Sequence, residues 1–427
     1  MSDTEIRALE RALDEDGTAA SRIALARALA RSKGPAEALE VLLPGVPDAG
    51  VRREIALLGA CSRDRFAPMG DPELIWTRDV RDRRIARAAG GHLVAHATAI
   101  AACWHDATTV LDPLVGSALW STKGLPIVSG DVAFVTLGDE TRKTITVRDA
   151  WTGASLWSTT IQGDVCVYGA SEGAFVALSA PEKKASRGRK LSAYRFTDPR
   201  APLAKEPAWS VTVPEDARVE AVSSGIVLLS HTVTSTEYRH VEGRLLALEL
   251  ASGERRFELK DWEDSSSSPR RRSILADADG LISTLGPDWT EEPWHQRTEV
   301  SVRDARQDVL WQRDAFVLSV AAYSPGLVLL RNKDGLELVE RMSGKTRSDP
   351  ESVLAYAGAE VAYARDTLYV ATGSRLHAFG LDLAPRWELD LGAVPGGPVR
   401  SLSALPGRLY GMTEEGVAFC IGEREAR

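Results

Sequence analysis

The chain has 427 residues, 44% hydrophobic and 26% charged, the composition of a globular protein with ample material for a core, which excludes disorder over the whole length. Lys plus Arg number 52 against 60 for Asp plus Glu, and the resulting net charge of −8 is poor electrostatics for coating nucleic acid. Eleven Trp outnumber the 8 Phe and the 8 Tyr, yet none precedes Trp76, so the chain has two compositional parts.

The first residues, MSDTEIRALERALDEDG, carry no basic n-region and no apolar h-region. No run of 18 apolar residues follows anywhere. The sequence therefore predicts a cytoplasmic protein with no membrane span, and its Ala- and Arg-heavy usage is compatible with a bacterial genome of high GC content. Ile6, Leu9 and Leu13 recur at helical spacing before Asp16-Gly17. A second helical pattern runs from Ile23 through Leu29 and stops at Lys33-Gly34, where a glycine follows a basic last turn. Pro35 opens a third at Ala36–Leu43, and Val51–Cys61 supplies a fourth. Residues 1–65 are thus expected to be a small helical module and 66–73 a linker. The stretch ALARALARSKGPAEALEVLLP resembles tetratricopeptide-type helix pairs, without that repeat's Trp and Tyr positions. A helical cap and a peptide-binding helical array both fit it.

From residue 74 the period changes. In PIVSGDVAFVTLGDETRKTITVRDAWTGASLWSTTIQG (126–163), short β-branched runs alternate with Gly and Asp turns, giving strands A (Pro126–Ser129), B (Val132–Leu137), C (Lys143–Asp149) and D (Ser155–Thr160). The same frame recurs in LDPLVGSALW, LELASGERRF and VERMSGKTRS. Each has a glycine (Gly116, Gly153, Gly253, Gly344) four residues before the last-strand marker and an acid (Asp112, Asp149, Glu249, Glu340) eight before it. The markers Trp76, Trp120, Trp157, Trp209, Phe257, Trp311, Ser348 and Trp387 follow one another at intervals of 37 to 54 residues. Four strands per unit at that period predict a mainly β chain, an eight-bladed β-propeller of four-stranded antiparallel blades over 74–423, with 424–427 as a tail. After Trp387 only three strands remain (399–404, 408–412, 417–421), so the segment 74–79 is expected to complete the last blade and close the ring.

TVRDAWTGASLW, VLDPLVGSALW and ALELASGERRF resemble the repeat of the pyrroloquinoline-quinone-type, or quinoprotein-like, propellers, over about 350 residues. DARQDVLW lacks the glycine, and GLDLAPRW lacks the acid-turn-glycine order. The resemblance implies that most of the Trp residues pack between blades, and it carries little about function, because one propeller fold hosts unrelated activities. It also raises a quinone-dependent dehydrogenase. Those enzymes hold a calcium site, and the alcohol-oxidising branch has an adjacent Cys pair, whereas Cys61, Cys103, Cys166 and Cys420 are scattered and read as small buried apolar residues.

Strings that imitate other sites fail on context. Ser343-Gly344-Lys345-Thr346 ends like a phosphate loop but has Val339 where a glycine is required and lies between strands. Asp277-Ala278-Asp279-Gly280 resembles a calcium loop, yet Leu275 takes the first ligand position. His92 and His96 lie in a strand pattern, where four residues separate them by about 13 Å. The sequence therefore predicts no catalytic residues, no metal and no cofactor.

Insertions carry more information. Units 3, 4 and 5 are long, with B–C connections stretched at Pro181–Lys190, Thr234–Glu242 and Pro287–Arg297, and a long D–A connection at Asp261–Arg272. In an up-down blade the B–C and D–A connections share one face. That sector presents Lys183, Lys184, Arg187, Arg189 and Lys190, then Tyr238 and His240, Trp262 with Arg270, Arg271 and Arg272, and finally Trp289, Trp294 and His295. Trp and Arg are enriched at interface hot spots, so these residues are the candidate binding surface for a protein partner, one with an acidic segment. The expected function is a non-enzymatic interaction scaffold with the helices as a docking handle. The alternatives are a regulatory subunit of a larger bacterial complex, or a small-ligand sensor or enzyme using the central channel.

Overall fold

The structure is a computed structural model that describes residues 3–61, 72–81, 91–105, 107–138, 142–162, 164–166, 173–179, 188–204, 206–223, 225–234, 241–264, 271–277, 280–286, 298–315, 317–324, 326–332, 335–347, 360–364, 367–380, 382–405 and 407–423. The N-terminal periodicity becomes four helices: α1 (Asp3–Asp16), α2 (Ala19–Ser32), α3 (Pro35–Leu42) and α4 (Ala49–Cys61). Capping extends α2 beyond its apolar pattern, because the Thr18 hydroxyl accepts the Ser21 N–H at 3.2 Å. Ile6, Leu25, Leu29, Leu39, Leu42, Val51 and Ile55 form one core, and the small Ala26 and Ala38 within it let helices approach closely. No helix among the described residues is long and apolar enough to cross a membrane.

Antiparallel sheets make up the rest. Sheets 1 to 5 lie within residues 91–123, 127–162, 164–213, 218–264 and 271–315; sheet 6 lies within 317–340 and sheet 7 within 360–390. Sheet 8 joins Val399–Leu405, Arg408–Thr413 and Val417–Glu423 to the N-terminal strand Pro72–Asp79, whose residues run antiparallel from Pro72 opposite Glu423 to Asp79 opposite Val417. The expected closing strand is present and begins two residues earlier than its apolar pattern suggested. A hydrophobic cluster lies between each successive pair of sheets, including 8 and 1, so the sheets form a closed ring.

Among the described residues, the expected eight four-stranded blades are corrected to seven, and a three-stranded sheet stands in the sixth place. There the strand Gly335–Glu340 pairs with Leu327–Asn332 on one side and, among the described residues, meets on the other an isolated bridge between Val339 and Thr346 and a bond from the Arg347 N–H to the Leu338 carbonyl. The chemistry of the sequence accounts for the difference. The marker Ser348 has no ring to anchor and is followed by Asp349-Pro350, and proline cannot donate to a ladder. Ser348 itself lies outside the described residues.

The regular spacing of Trp, Gly and acid has one physical cause. Five of the last-strand indoles lie on the C–D turn of the next sheet and donate Nε1–H to a carbonyl there: Trp76 to Pro113, Trp120 to Ala150, Trp157 to Pro199, Trp209 to Leu250 and Trp311 to Arg341, at 2.7 to 3.3 Å. A Cβ on Gly116, Gly153, Gly253 or Gly344 would come within 2.8 Å of the facing indole, and all four glycines have φ between +67° and +76°. The acid four residues earlier accepts that glycine's N–H with its carbonyl and, in Asp112 and Asp149, caps the turn with its carboxylate.

The two departures obey the same rule. Gln307 and Leu383 occupy the glycine position and hold φ of +73° and +61°. Their turns are one residue tighter, closed by Gln307 N–H to Asp304 O and Leu383 N–H to Gly380 O. At both places the preceding strand brings no indole: Phe257 precedes Gln307, and Ser348 precedes Leu383. Leu383 instead packs with Leu327, Leu329 and Leu338 of sheet 6. Trp104, which the repeat left unassigned, presses on Gly416 of sheet 8 from the other face.

Gly153→Ala is expected to cost about 2–4 kcal/mol, because the new methyl meets the Trp120 ring at a left-handed position. Combined with Trp120→Ala, the loss in chemical denaturation should be smaller than the sum of the two single changes, since the ring atoms that meet the methyl, Cγ at 2.5 Å and Cδ2 at 2.9 Å, are then gone.

Candidate interaction faces

The A–B and C–D turns lie on one face of the ring and the B–C and D–A connections on the other, and the two faces are furnished differently. The helical module sits on the first. Arg52 of α4 bonds Asp112 in the C–D turn of sheet 1 through Nε at 2.6 Å, and Arg53 bonds Asp149 in the C–D turn of sheet 2 at 2.7 Å. Leu114, two residues after Asp112, packs into the helical core. Asp112 is fully buried, so Arg52 supplies the counter-charge for a carboxylate with no access to water. Asp149 also takes Arg200 from sheet 3 at 3.1 Å. Burial pushes the Asp149 carboxyl up, but the Thr152 N–H, Arg200 and Arg53 outweigh it and hold it below the ordinary carboxylate range.

The second face carries the insertions, and the structure changes their boundaries. Sheet 4 stands tall there: strands Ile226–Thr234, Val241–Glu249 and Arg255–Asp264 run 9, 9 and 10 residues and keep pairing out to Thr234 opposite Val241 and Val241 opposite Asp264. Part of three of the four expected loops, Pro181–Lys190, Thr234–Glu242 and Asp261–Arg272, is therefore strand, while Pro287–Arg297 lies outside the described residues. Trp262 lies opposite Gly243 in the last strand of sheet 4, and Arg271 and Arg272 pair with Gly286 and Leu285 in the first strand of sheet 5. The D–A connection shrinks to residues 265–270. The β-branched and apolar residues beside these positions extend the ladder, which periodicity in the turn region did not reveal.

Arg189 and Lys190 likewise lie in a strand, Arg189–Arg195. The Arg189 guanidinium is turned inward, donating to the carbonyls of Leu178, Ser179 and Ala217 and so tying sheet 3 to the start of sheet 4. Lys190 is exposed. Lys183, Lys184, Arg187, Tyr238, His240, Arg270, Trp289, Trp294 and His295 lie outside the described residues, as do the side chains of Trp262, Arg271 and Arg272.

A polar row that sequence reasoning missed crosses sheet 4 beneath this rim. Arg244 bonds Glu242 at 2.6 Å and Glu258 at 3.1 Å, Arg255 bonds Glu258 at 2.7 Å, and the buried His231 lies 3.4 Å from the same carboxylate. His231 and Arg244 are directly opposite in register, on the side whose Leu229 and Leu246 pack against sheet 3. The signal was available as alternating charged and apolar residues in EGRLLALE and RRFELK, but pairing across strands is invisible without the register.

No group of three or more His, Cys, Asp or Glu that could hold a metal ion occurs among the described residues. His92 lies in the strand Gly91–Ala95 and His96 just beyond it, as the strand pattern implied. Cys420 is buried beside Arg408 and Tyr410, and burial pushes its thiol up to about 11, which keeps it protonated. Cys103 is half-buried.

No family model matches the sequence, and no curated protein matches it by sequence. Solved structures do. The computationally designed Ika8 protein is 12% identical over 78% of this chain and 95% of its own, with a TM-score of 0.51. BamB from Moraxella catarrhalis is 13% identical over 82% of this chain and 99% of its own, with a TM-score of 0.48. Quinohemoprotein alcohol dehydrogenase from Comamonas testosteroni is 12% identical, covering 87% and 80%, with a TM-score of 0.46. At these identities the likeness is one of fold alone.

Two outcomes follow from the charges. Arg52→Ala should destabilise the protein by about 3–5 kcal/mol because it strands the buried Asp112, whereas Arg53→Ala should cost about 1 kcal/mol, since Asp149 keeps Arg200; thermal or urea unfolding distinguishes them. Burial lowers His96 to about 4 from 6.5, so the folded protein resists a proton that the unfolded chain accepts. Stability should therefore fall as pH drops from about 6.5 to about 4, and His96→Gln should flatten that part of the pH–stability curve.

Proposed function

We propose that the protein is a non-enzymatic scaffold that binds another protein through the B–C and D–A face of sheets 3 to 5, while its helical module occupies the opposite face. The observation that carries this reading is the distribution of the insertions. They fall on three successive sheets, emerge on one face, and concentrate Lys, Arg and Trp in a chain whose net charge is −8. The extended strands of sheet 4 support it, because they raise the rim at the centre of that sector. A cationic, aromatic-bearing surface of this kind fits an acidic segment of a partner, with Arg270, Arg271 and Arg272 reading carboxylates and Trp262, Trp289 and Trp294 giving apolar anchors. Arg189 is left out of this surface, since its guanidinium is committed to three carbonyls. The cytoplasmic location expected from the sequence belongs to the same proposal.

The module on the other face is tied to the ring through Arg52 on Asp112, Arg53 on Asp149 and the packing of Leu114, and its part in the scaffold is to shape that face. Affinity purification of the full chain from its native host, with mass spectrometry, identifies the partner. Changing Arg270, Arg271 and Arg272 together to Glu should abolish its capture while leaving the melting temperature unchanged. Capture that survives the charge reversal, or a quinone chromophore that co-purifies with the protein, overturns the reading.

A further inference from the structure

The turn at residues 112–116 joins three parts of the chain that are remote in sequence. Its first residue, Asp112, is fully buried, with one carboxylate oxygen accepting the Leu114 N–H at 2.9 Å and the other held by Arg52 of the helical module at 2.6 Å. The same arginine donates to the carbonyls of Val46 and Pro47, which fixes the approach to α4. The next residue, Pro113, offers its carbonyl to the closure of the ring. It accepts the Trp76 indole N–H from the N-terminal strand at 3.3 Å, the Tyr410 hydroxyl from sheet 8 at 3.2 Å and the Arg408 guanidinium at 3.4 Å. Leu114 enters the helical core, and Gly116 lies flat under the Trp76 ring.

The seam itself depends on this turn. Sheet 8 takes its fourth strand, Pro72–Asp79, from the other end of the chain, and the buried residues that hold that strand from the side are Trp76, Tyr410, Met412 and Cys420 together with Leu93 and Leu111 of sheet 1. Burial raises the Tyr410 hydroxyl well above its usual range, so it stays protonated and keeps donating to Pro113. If Arg52 leaves, the buried Asp112 carboxylate keeps only the Leu114 N–H as a partner, and an outward shift of the turn brings it to water. That movement carries away the carbonyl on which Trp76, Tyr410 and Arg408 converge.

We propose that α4 and the turn 112–116 form a clasp that locks the ring, such that displacing the helical module from sheet 1 releases the closing strand from sheet 8. A molecule that pulls on the helices would then open the propeller at this seam and at no other. The clasp is independent of what binds the opposite face.

Native-state hydrogen exchange on the full wild-type chain tests it. The amides of α4, of Pro72–Asp79 and of Val417–Glu423 should exchange through one shared opening, below the opening free energy of the central strands of sheets 3 and 4. Arg52→Ala should speed exchange in the two seam strands at least about tenfold more than in sheets 3 and 4, whose exchange rises only with the loss of global stability. Arg53→Ala, which detaches the module from sheet 2 instead, should leave the seam within about twofold of wild type. Faster exchange confined to the helices, or spread evenly around the ring, overturns the proposal. Where Arg52→Ala does not fold, the wild-type experiment decides: a seam that opens together with sheets 3 and 4, or helices that open without it, overturns the clasp.

Discussion

The contact between a last-strand indole and the turn of the following sheet is the constraint on which this ring is built. A flat ring can lie on a peptide turn only where no Cβ intervenes, and the carbonyl that receives the indole N–H must point out of that turn. Gly153 under Trp120 and the Ala150 carbonyl that accepts its proton satisfy both conditions at once. The left-handed backbone at that glycine closes the turn, and the acid four residues before it holds the turn from below. Repeated from sheet to sheet, the contact sets the distance between neighbours and leaves the clusters of Val, Leu, Ile and Ala to fill the wedges. Where the indole is missing the restriction to glycine lapses. Gln307 and Leu383 then occupy the same left-handed position, and the strain of about 1 kcal/mol at each is borne by the surrounding ladder.

The turns that receive the indoles also hold the helical module. Asp112 and Asp149 cap their own turns with one oxygen and turn the other outward, where α4 meets them with two successive arginines. One acidic position of the repeat thereby does two jobs, local closure and long-range docking. Asp112 has no exposure, so the pair with Arg52 makes the module part of the ring's stability rather than an appendage. One face of the ring is committed to the module, and the other bears the cationic and aromatic insertions of sheets 3 to 5.

Much of this architecture was legible because it is periodic. Four helices, the four-strand unit, the closing strand and the turn acids all leave a signal at a fixed offset, and a fixed offset survives without any knowledge of contacts. The sixth sheet was misjudged for the opposite reason: the count relied on a marker position, and Ser348 holds the place of the marker without its ring. Three of the four insertions were given limits that run into strands, as Trp262, Arg271 and Arg272 show. Strand length depends on the neighbour that accepts the hydrogen bonds, and sequence carries no record of the neighbour. Arg189 shows the same gap for a side chain. A basic residue in a Lys- and Arg-rich stretch reads as solvent-facing, yet three inward carbonyls claim it.

By itself the sequence determined the class of fold, the unit that repeats and the order of its strands, because these follow from hydrophobic period, turn chemistry and the spacing of Trp and Gly. Only the tertiary structure decided what those residues touch. The indole seated on the next sheet, the left-handed Gln307 and Leu383, the pairing of Arg52 with a buried Asp112, and the convergence of Trp76, Tyr410 and Arg408 on one carbonyl all join positions tens to hundreds of residues apart. Such contacts come from closing the ring, which brings the two ends of the chain to one seam, and no local pattern encodes them.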